Sequence, residues 1–169
     1  VLLLASGRSG VAADTEVAAK FQDALNAVTR KLAYKIVDDG EGVTHIVRLA
    51  ISGLETNADA RTLAKSIGNS PLCKTAWSSA DPNWGRILAA AGKAGIPFNP
   101  AKVTVRIGEH LVFEYGTRSA NYNETLCHQT MSAREFTIAV DFGLGEGSSD
   151  FLTCDLTHEY VSINADYST

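Results

Sequence analysis

The acidic stretch 38–42 has residue types that could bind a cation. It reads Asp-Asp-Gly-Glu-Gly and follows a long segment with helical apolar periodicity. Carboxylates at the C-terminal end of a helix oppose its dipole, and their presence there is a signal for binding. Glycines on both sides of Glu41 would let a ligand approach the backbone closely. On chain pattern alone, a polar turn that ends the helix is favoured over a binding loop.

Two further segments, 79–86 and 160–169, have polar groups that could face a ligand. The first reads SADPNWGR, in which Asp81 can cap a helix, so a structural corner explains it as well as a site wall does. The second keeps aromatic and apolar residues almost to Thr169, which indicates a segment that is tied down. Its Asn, Ser and Thr side chains could hydrogen-bond a polar ligand, and simple docking of this tail is the alternative.

Several motifs that carry well-known chemistry are missing from the sequence. It has no P-loop, no dinucleotide-binding glycine fingerprint and no paired-histidine zinc motif. The glycines of 143–147 lie between two strand-like segments, which predicts a hairpin loop and not a phosphate cradle. The four histidines have no serine or cysteine nearby in a nucleophile-elbow setting. The three cysteines are far apart, which fits neither a disulfide framework nor a metal site. We therefore expect no metal and no cofactor.

Composition and charge are those of an ordinary globular protein. The 169 residues are 45% hydrophobic and 20% charged, enough for one domain over 1–169 with its own core. The net charge is −4 and no block of five like charges occurs, so a nucleic-acid partner is not expected. No apolar run approaches the roughly 20 residues of a membrane span. The odd number of isolated cysteines fits a reducing cytoplasm.

Apolar periodicity predicts the elements that must position these segments. The opening run Val1–Ala5 predicts a buried strand, and so apolar a start predicts that residues precede it. The next elements are a helix from Asp14 or Thr15 to Gly40, a strand over 43–52 and a helix over 57–67.

The second half of the chain is predicted to be richer in strands. Its predicted elements are a strand over 71–78, a helix beginning at Asp81-Pro82, a hairpin over 103–115, a short helix over 123–133, a hairpin of strands 136–142 and 149–155, and a last short strand or extended tail over 160–164. Strands and helices neither alternate regularly nor separate into blocks. This order predicts a mixed α/β (α+β) fold with helices packed on a largely antiparallel sheet.

The polar segments, in the same order, resemble the signature stretches of the ornithine acetyltransferase (glutamate N-acetyltransferase) family. The matching stretches are 39–42 after a long helix, Lys74-Thr75 within 70–76, SADPNWGRI at 79–87 and YVSINADY at 160–167. The resemblance runs from the opening strand to Thr169. It implies an N-terminal-nucleophile-like fold, of the type shared by ornithine acetyltransferases and DmpA-type aminopeptidases, and the C-terminal part of a β-chain.

The resemblance also implies a mechanism. Members of the family cut their own chain before a threonine, whose hydroxyl becomes the nucleophile and whose freed amine is the base. A terminal amine has a pKa of roughly 8, which lets it accept the hydroxyl proton without a histidine. The threonine takes acetyl from N-acetylornithine and passes it to glutamate. By family pattern this threonine lies upstream of Val1, so no catalytic residue is expected in this sequence.

Carried over residue by residue, the resemblance implies that Glu41, Asn164 and Thr169 bind substrate. Glu41 would hold a substrate ammonium, while Asn164 and Thr169 would hydrogen-bond the polar amino-acid end. The implied partners are N-acetylornithine, ornithine, glutamate and the α-chain of the same precursor, in an α2β2 heterotetramer. The same resemblance implies arginine biosynthesis, although a specialised amino-acid pathway could use the same chemistry, and it leaves open whether acetyl-coenzyme A is a donor.

Two other functions remain as alternatives. A self-processing aminopeptidase of related fold would transfer the acyl group to water instead of glutamate. A non-catalytic module would bind an amino acid without reacting. An acetyl group on the threonine would separate an enzyme from a module, and acceptor preference would separate a transferase from a peptidase.

Overall fold

The computed structural model describes residues 2–11 and 14–167, without the side chain of Thr15. They form two compact units, 1–36 and 37–169. The elements are α1 (Thr15–Asp38), β1 (Ile46–Leu54), α2 (Asn57–Gly68), α3 (Pro71–Ser78), α4 (Trp84–Gly92), a 3-10 helix (Pro100–Lys102), β2 (Thr104–Ile107), β3 (His110–Glu114), β4 (Thr117–Arg118), α5 (Glu124–Met131), β5 (Glu135–Asp141), β6 (Gly147–Cys154) and α6 (His158–Asp166). None of the helices in the described ranges has the length and apolarity that a membrane span requires.

The first unit contains most of α1. Asp14 caps this helix as predicted, since its carboxylate accepts a hydrogen bond of 2.8 Å from Val17 N. The apolar stripe of the helix is exposed, with 58% of Phe21 and 56% of Val28 accessible to solvent. Periodicity identifies the apolar face of a helix but does not state what covers it.

The buried strand predicted over Val1–Ala5 is wrong. Val1 lies outside the described residues, and 2–5 form no regular element. Leu2 and Leu4 are 81% and 87% exposed. An apolar run becomes a buried strand only when its backbone groups pair with a neighbouring strand, and composition does not identify that neighbour.

In the second unit, the described residues form one six-stranded sheet with the order β4-β3-β2-β5-β1-β6. The pairing of β1 with β5 is parallel, and the other four pairings within the described residues are antiparallel. The largely antiparallel sheet and the mixed α+β fold are therefore confirmed. The predicted hairpin over 103–115 is confirmed as β2 and β3.

The predicted hairpin of strands 136–142 and 149–155 is wrong, although both strands exist. β1 lies between β5 and β6 and pairs with each of them. The glycine-rich connection therefore passes over the end of β1, where Leu144 N and Gly145 N donate to Gly53 O at 2.6 and 3.2 Å. Gly53 has a φ of +73°, and a Cβ there would lie 2.6 Å from Gly143 N, so this crossing requires glycine.

Two segments predicted as strands are helices. Pro71–Ser78 is α3, which Ser70 caps and in which proline occupies the first turn. Tyr160–Asn164, predicted as a strand or an extended tail, belongs to α6, which Thr157 caps. Both segments have short apolar runs that fit either type of element, and the capping residue decides between them.

Within the second unit, α2 and α5 pack directly on the sheet. α2 packs against β1 and β6, α4 against α2 and α3, and α5 contacts β2 and β5. Alternate strand residues supply the buried layer beneath them: Val47, Leu49, Ile51, Val105, Ile107, Phe136, Ile138 and Val140. Burying a side chain of this size stabilises the fold by about 1.5–3 kcal/mol. This layer is a rigid base for the loops at the sheet's ends.

Candidate functional site

The structure places two of the three predicted binding residues together. Glu41 lies in the loop between α1 and β1, which we call the Glu41 loop (residues 39–45), and Asn164 lies in α6. Asn164 Nδ2 donates to Glu41 Oε2 at 2.6 Å and to Tyr160 O at 2.9 Å. Both residues are exposed. Thr169, the third predicted binding residue, lies outside the described residues.

Thr157 attaches the start of α6 to the Glu41 loop. Its Oγ1 accepts a hydrogen bond from Tyr160 N at 3.3 Å, which caps the helix, and donates one to Gly42 O at 2.8 Å. Gly42 has a φ of +65°, and a Cβ there would lie 2.8 Å from Tyr160 N. The close approach of loop and helix therefore requires glycine at this position.

Arg134 supports the other side of the loop. One guanidinium nitrogen donates to Val43 O at 2.7 Å, and another donates to Asp38 Oδ1 at 2.5 Å. This ion pair offsets the acid that the sequence places against the α1 dipole. Among the described residues, Asp39 makes no ion pair and Glu41 has Asn164 as its single hydrogen-bond donor. The exposed side of the loop consequently keeps negative charge, which suits a cation.

Asp155 lies beneath the loop with a fully buried side chain. It follows β6 directly, and its carboxylate accepts hydrogen bonds from Thr44 and His45. In the other direction, Asp155 N donates to His45 O at 3.1 Å. Sequence reasoning missed Asp155, Thr157 and Arg134. The available signal was the threonine at 157 followed by an acid in the first turn, which is typical of a helix start.

The segment 79–86 forms the corner between α3 and α4. Asn83, and not the expected Asp81, caps α4 by accepting from Arg86 N at 3.1 Å. Asn83 Nδ2 also donates to Asp81 Oδ2 at 3.1 Å. The Arg86 guanidinium donates to Leu72 O at 2.9 Å and so ties α4 back to α3. The corner lines an open cavity with Glu124 and other α5 residues. These contacts account for the motif structurally.

Lys74 connects α3 to the residues before α6. Its Nζ lies 3.4 Å from Thr153 Oγ1 and 3.5 Å from Cys154 Sγ. Its carbonyl oxygen accepts a hydrogen bond of 3.2 Å from Leu156 N. The Lys74 stretch therefore helps to fix the chain that leads from β6 into α6.

Two of the three cysteines are buried. Cys73 and Cys127 are buried in the core, while Cys154 is half-buried. Burial raises the pKa of the Cys73 thiol, against smaller opposing effects of the Ser70 hydrogen bond and the Arg86 charge. Burial and then the Glu124 charge raise the pKa of the Cys127 thiol. Both remain protonated at neutral pH and so are poor nucleophiles.

Known proteins resemble this chain along its whole length. A sequence model of the ArgJ family matches residues 1–169. Two relatives, both named arginine biosynthesis bifunctional protein ArgJ, come from Ruegeria pomeroyi and Caulobacter vibrioides. The first is 45% identical over 167 residues, which are 99% of this chain and 40% of the relative. The second is 41% identical over 172 residues, which cover 99% of this chain and 42% of the relative. The chain thus spans about two fifths of the length of these relatives.

A solved structure resembles the fold closely. The crystal structure of arginine biosynthesis bifunctional protein ArgJ from Bacillus halodurans, at 2.00 Å resolution, matches 96% of this chain and 78% of its own with a TM-score of 0.89. The two sequences are 32% identical. This likeness confirms the fold that the resemblance to ornithine acetyltransferases implies. Because the family match covers every residue and relatives above 40% identity span nearly all of the sequence, the chain belongs to the ArgJ family.

Proposed function

We propose that this chain supplies the ornithine-binding part of an acetyltransferase that moves acetyl from N-acetylornithine to glutamate in arginine biosynthesis. The observation that carries the proposal is the hydrogen bond between Glu41 and Asn164. It brings together two of the stretches that resemble the family, 39–42 and 160–167. Relatives named for arginine biosynthesis support the pathway. A cytoplasmic location belongs to the same proposal.

The exposed Glu41 carboxylate suits the ammonium group that N-acetylornithine keeps after its other amine is acetylated. A carboxylate and an ammonium form a charge-assisted hydrogen bond, which is stronger than one between neutral groups. Asn164 holds the carboxylate through Oε2, so Oε1 remains for the substrate. Thr169 adds a hydrogen bond to the amino-acid end.

The acetyl transfer proceeds in two balanced steps on an N-terminal threonine that autoproteolysis generates outside these residues. First, the threonine hydroxyl attacks the amide carbon, the C–N bond breaks, and ornithine leaves with the hydroxyl proton on its amine. Next, the amine of glutamate attacks the threonine ester, N-acetylglutamate forms, and the hydroxyl recovers its proton. The α-chain supplies the oxyanion hole, and two α- and two β-chains form the enzyme.

The test uses the protein as its gene encodes it, with N-acetylornithine and glutamate as substrates. We expect N-acetylglutamate to form, and intact mass to detect one acetyl group on a chain that begins with threonine. Native mass measures the α2β2 assembly. Release of acetate without glutamate acetylation would instead favour the aminopeptidase-type alternative. Neither product nor adduct would favour the binding module.

A further inference from the structure

We infer that Asp155 is a positioning residue of the ornithine site: its buried carboxylate fixes the Glu41 loop against the start of α6. The inference rests on the proposed function, because it assigns Asp155 a role in placing Glu41. Asp155 itself is fully buried and takes no part in contacting substrate.

The carboxylate of Asp155 accepts three hydrogen bonds from two consecutive loop residues and also contacts the His45 ring. Oδ1 accepts from Thr44 N at 3.0 Å and from His45 N at 3.1 Å. Oδ2 accepts from Thr44 Oγ1 and lies 3.2 Å from His45 Nδ1. The hydrogen-bonding capacity of the carboxylate is therefore directed entirely at this loop.

Burial makes this arrangement rigid. An ionised carboxylate removed from water is stable only when protein donors replace its hydration, so any displacement of Thr44 or His45 carries a large free-energy cost. Asp155 N also donates to His45 O, which closes the contact from the other direction. The loop backbone is thus held three residues after Glu41.

The same short segment determines where α6 begins. Two residues beyond Asp155, Thr157 caps α6 and donates to Gly42 O at 2.8 Å. Residues 155–157 therefore contact the loop on the C-terminal side of Glu41 and also start the helix that presents Asn164. Asp155 in this way sets the distance between Glu41 and Asn164, whose side chains meet at 2.6 Å.

The decisive substitution is Asp155→Asn, tested in the complete protein. Asparagine keeps an acceptor for the two backbone N–H groups, but its NH2 group replaces the Oδ2 acceptor that Thr44 Oγ1 uses. We expect the KM for N-acetylornithine to rise about tenfold with kcat little changed, because hydrogen bonds to a charged group are lost beneath a binding loop. Calorimetric titration with ornithine should show the same loss of affinity.

The matched control is Asp150→Asn. Asp150 is an exposed carboxylate on β6 that pairs with Arg48 and lies outside the loop contacts. The control makes the same Asp-to-Asn change in β6, the strand that directly precedes Asp155. We expect this variant to keep the KM and ornithine affinity of the unmodified protein.

A double-mutant cycle separates positioning from general stability. If Asp155 acts through Glu41, then Asp155→Asn should raise KM in the native background but add little in a Glu41→Ala background. An equal increase in both backgrounds would overturn the inference, as would an unchanged KM in folded Asp155→Asn. The proposed function fails differently, through unchanged ornithine affinity in Glu41→Ala alone.

A second pair of variants covers the case in which Asp155→Asn does not fold. Thr157→Val removes the donor to Gly42 O at nearly constant shape, whereas Thr157→Ser keeps both of its hydrogen bonds. We expect valine to weaken ornithine binding and serine to restore it. Equal affinities for the two folded variants would contradict the inference that contacts between residues 155–157 and the Glu41 loop position the ornithine site.

Discussion

Asn164 donates a 2.6 Å hydrogen bond to Glu41 across 123 residues of sequence. The contact joins the loop that follows α1 to the last helix of the described chain. Neither residue is buried, so the pair is held by the backbone on each side and not by surrounding side chains. The arrangement gives a carboxylate a defined orientation while leaving it exposed to solvent.

Replacing Glu41 by alanine should weaken substrate binding while the fold is retained. The change removes an exposed carboxylate, and we expect the KM for N-acetylornithine to rise about 10- to 100-fold from loss of a charge-assisted contact. Steady-state kinetics and thermal unfolding measure the two effects. Glu146→Ala, which removes another exposed carboxylate from the β5–β6 connection, should leave both unchanged. Unaltered kinetics in Glu41→Ala would contradict the ammonium-binding role.

Replacing Gly42 by alanine should destabilise the loop. Its φ is +65°, and the added Cβ would lie 2.8 Å from Tyr160 N and 2.9 Å from Thr157 Oγ1. We expect the free energy of unfolding to fall by about 1–3 kcal/mol, as measured by urea titration. Gly92→Ala is the control, because a Cβ there meets nothing within 4 Å. That variant should be unchanged or more stable by up to about 1 kcal/mol. Equal stabilities would show that the loop can move away from α6.

Removing Ser168 and Thr169 should reduce activity more than stability. The family resemblance implies that Thr169 binds substrate, and none of the described residues of the preceding helix α6 is buried. Acetyl transfer and the unfolding midpoint, measured on the same preparation, provide the comparison. A large drop in the midpoint with activity retained per folded molecule would make the tail structural.

The thiols of Cys73 and Cys127 should resist alkylation in the folded protein at pH 8. Burial raises the pKa of each thiol, so little thiolate is present and reagent access is blocked. Mass spectrometry after iodoacetamide treatment, with and without urea, measures the protection. Labelling of either residue without urea would contradict its burial.

The same thiol pKa shifts predict an alkaline loss of stability. The pKa of a folded thiol lies above the ordinary value of 9.0, so above pH 9 the unfolded chain releases protons that the native state retains. The free energy of unfolding therefore falls as pH rises through the folded pKa values and is unaffected by these thiols below pH 9. Urea titrations of the native protein and a Cys73→Ala variant at pH 8 and pH 10 isolate this contribution. We expect the difference between the urea midpoints of the two proteins to change between pH 8 and pH 10. An equal difference at both pH values would contradict a contribution of the Cys73 thiol.

Local signals predicted most elements of this fold but not their pairing. Thr56 before α2 and Asn123 before α5 are helix caps that the sequence displays directly. The predicted β5–β6 hairpin was wrong because alternation of apolar and polar residues indicates a strand without identifying its neighbour. In the sheet, β1 lies between these two strands. The strand predicted over Pro71–Ser78 was wrong because the helix start at Ser70-Pro71 was given too little weight.

The candidate site was predictable only in part. Glu41 stands out because an acid between two glycines after a helix is unusual, and Asn164 stands out through the family resemblance. Asp155 has no comparable signal, since an isolated aspartate after a strand is an ordinary turn residue. Its importance emerges only when the structure brings it beneath Thr44 and His45.

The central position of β1 has a consequence for how the chain folds during synthesis. β1 ends at Leu54, whereas its two partners begin at Glu135 and Gly147. A chain growing on the ribosome must therefore carry this apolar strand without either of these partners until β5 has been made. Such long-range pairing is slow, and open edges can pair with other nascent chains. The nascent chain, more than the finished protein, is the state most exposed to aggregation.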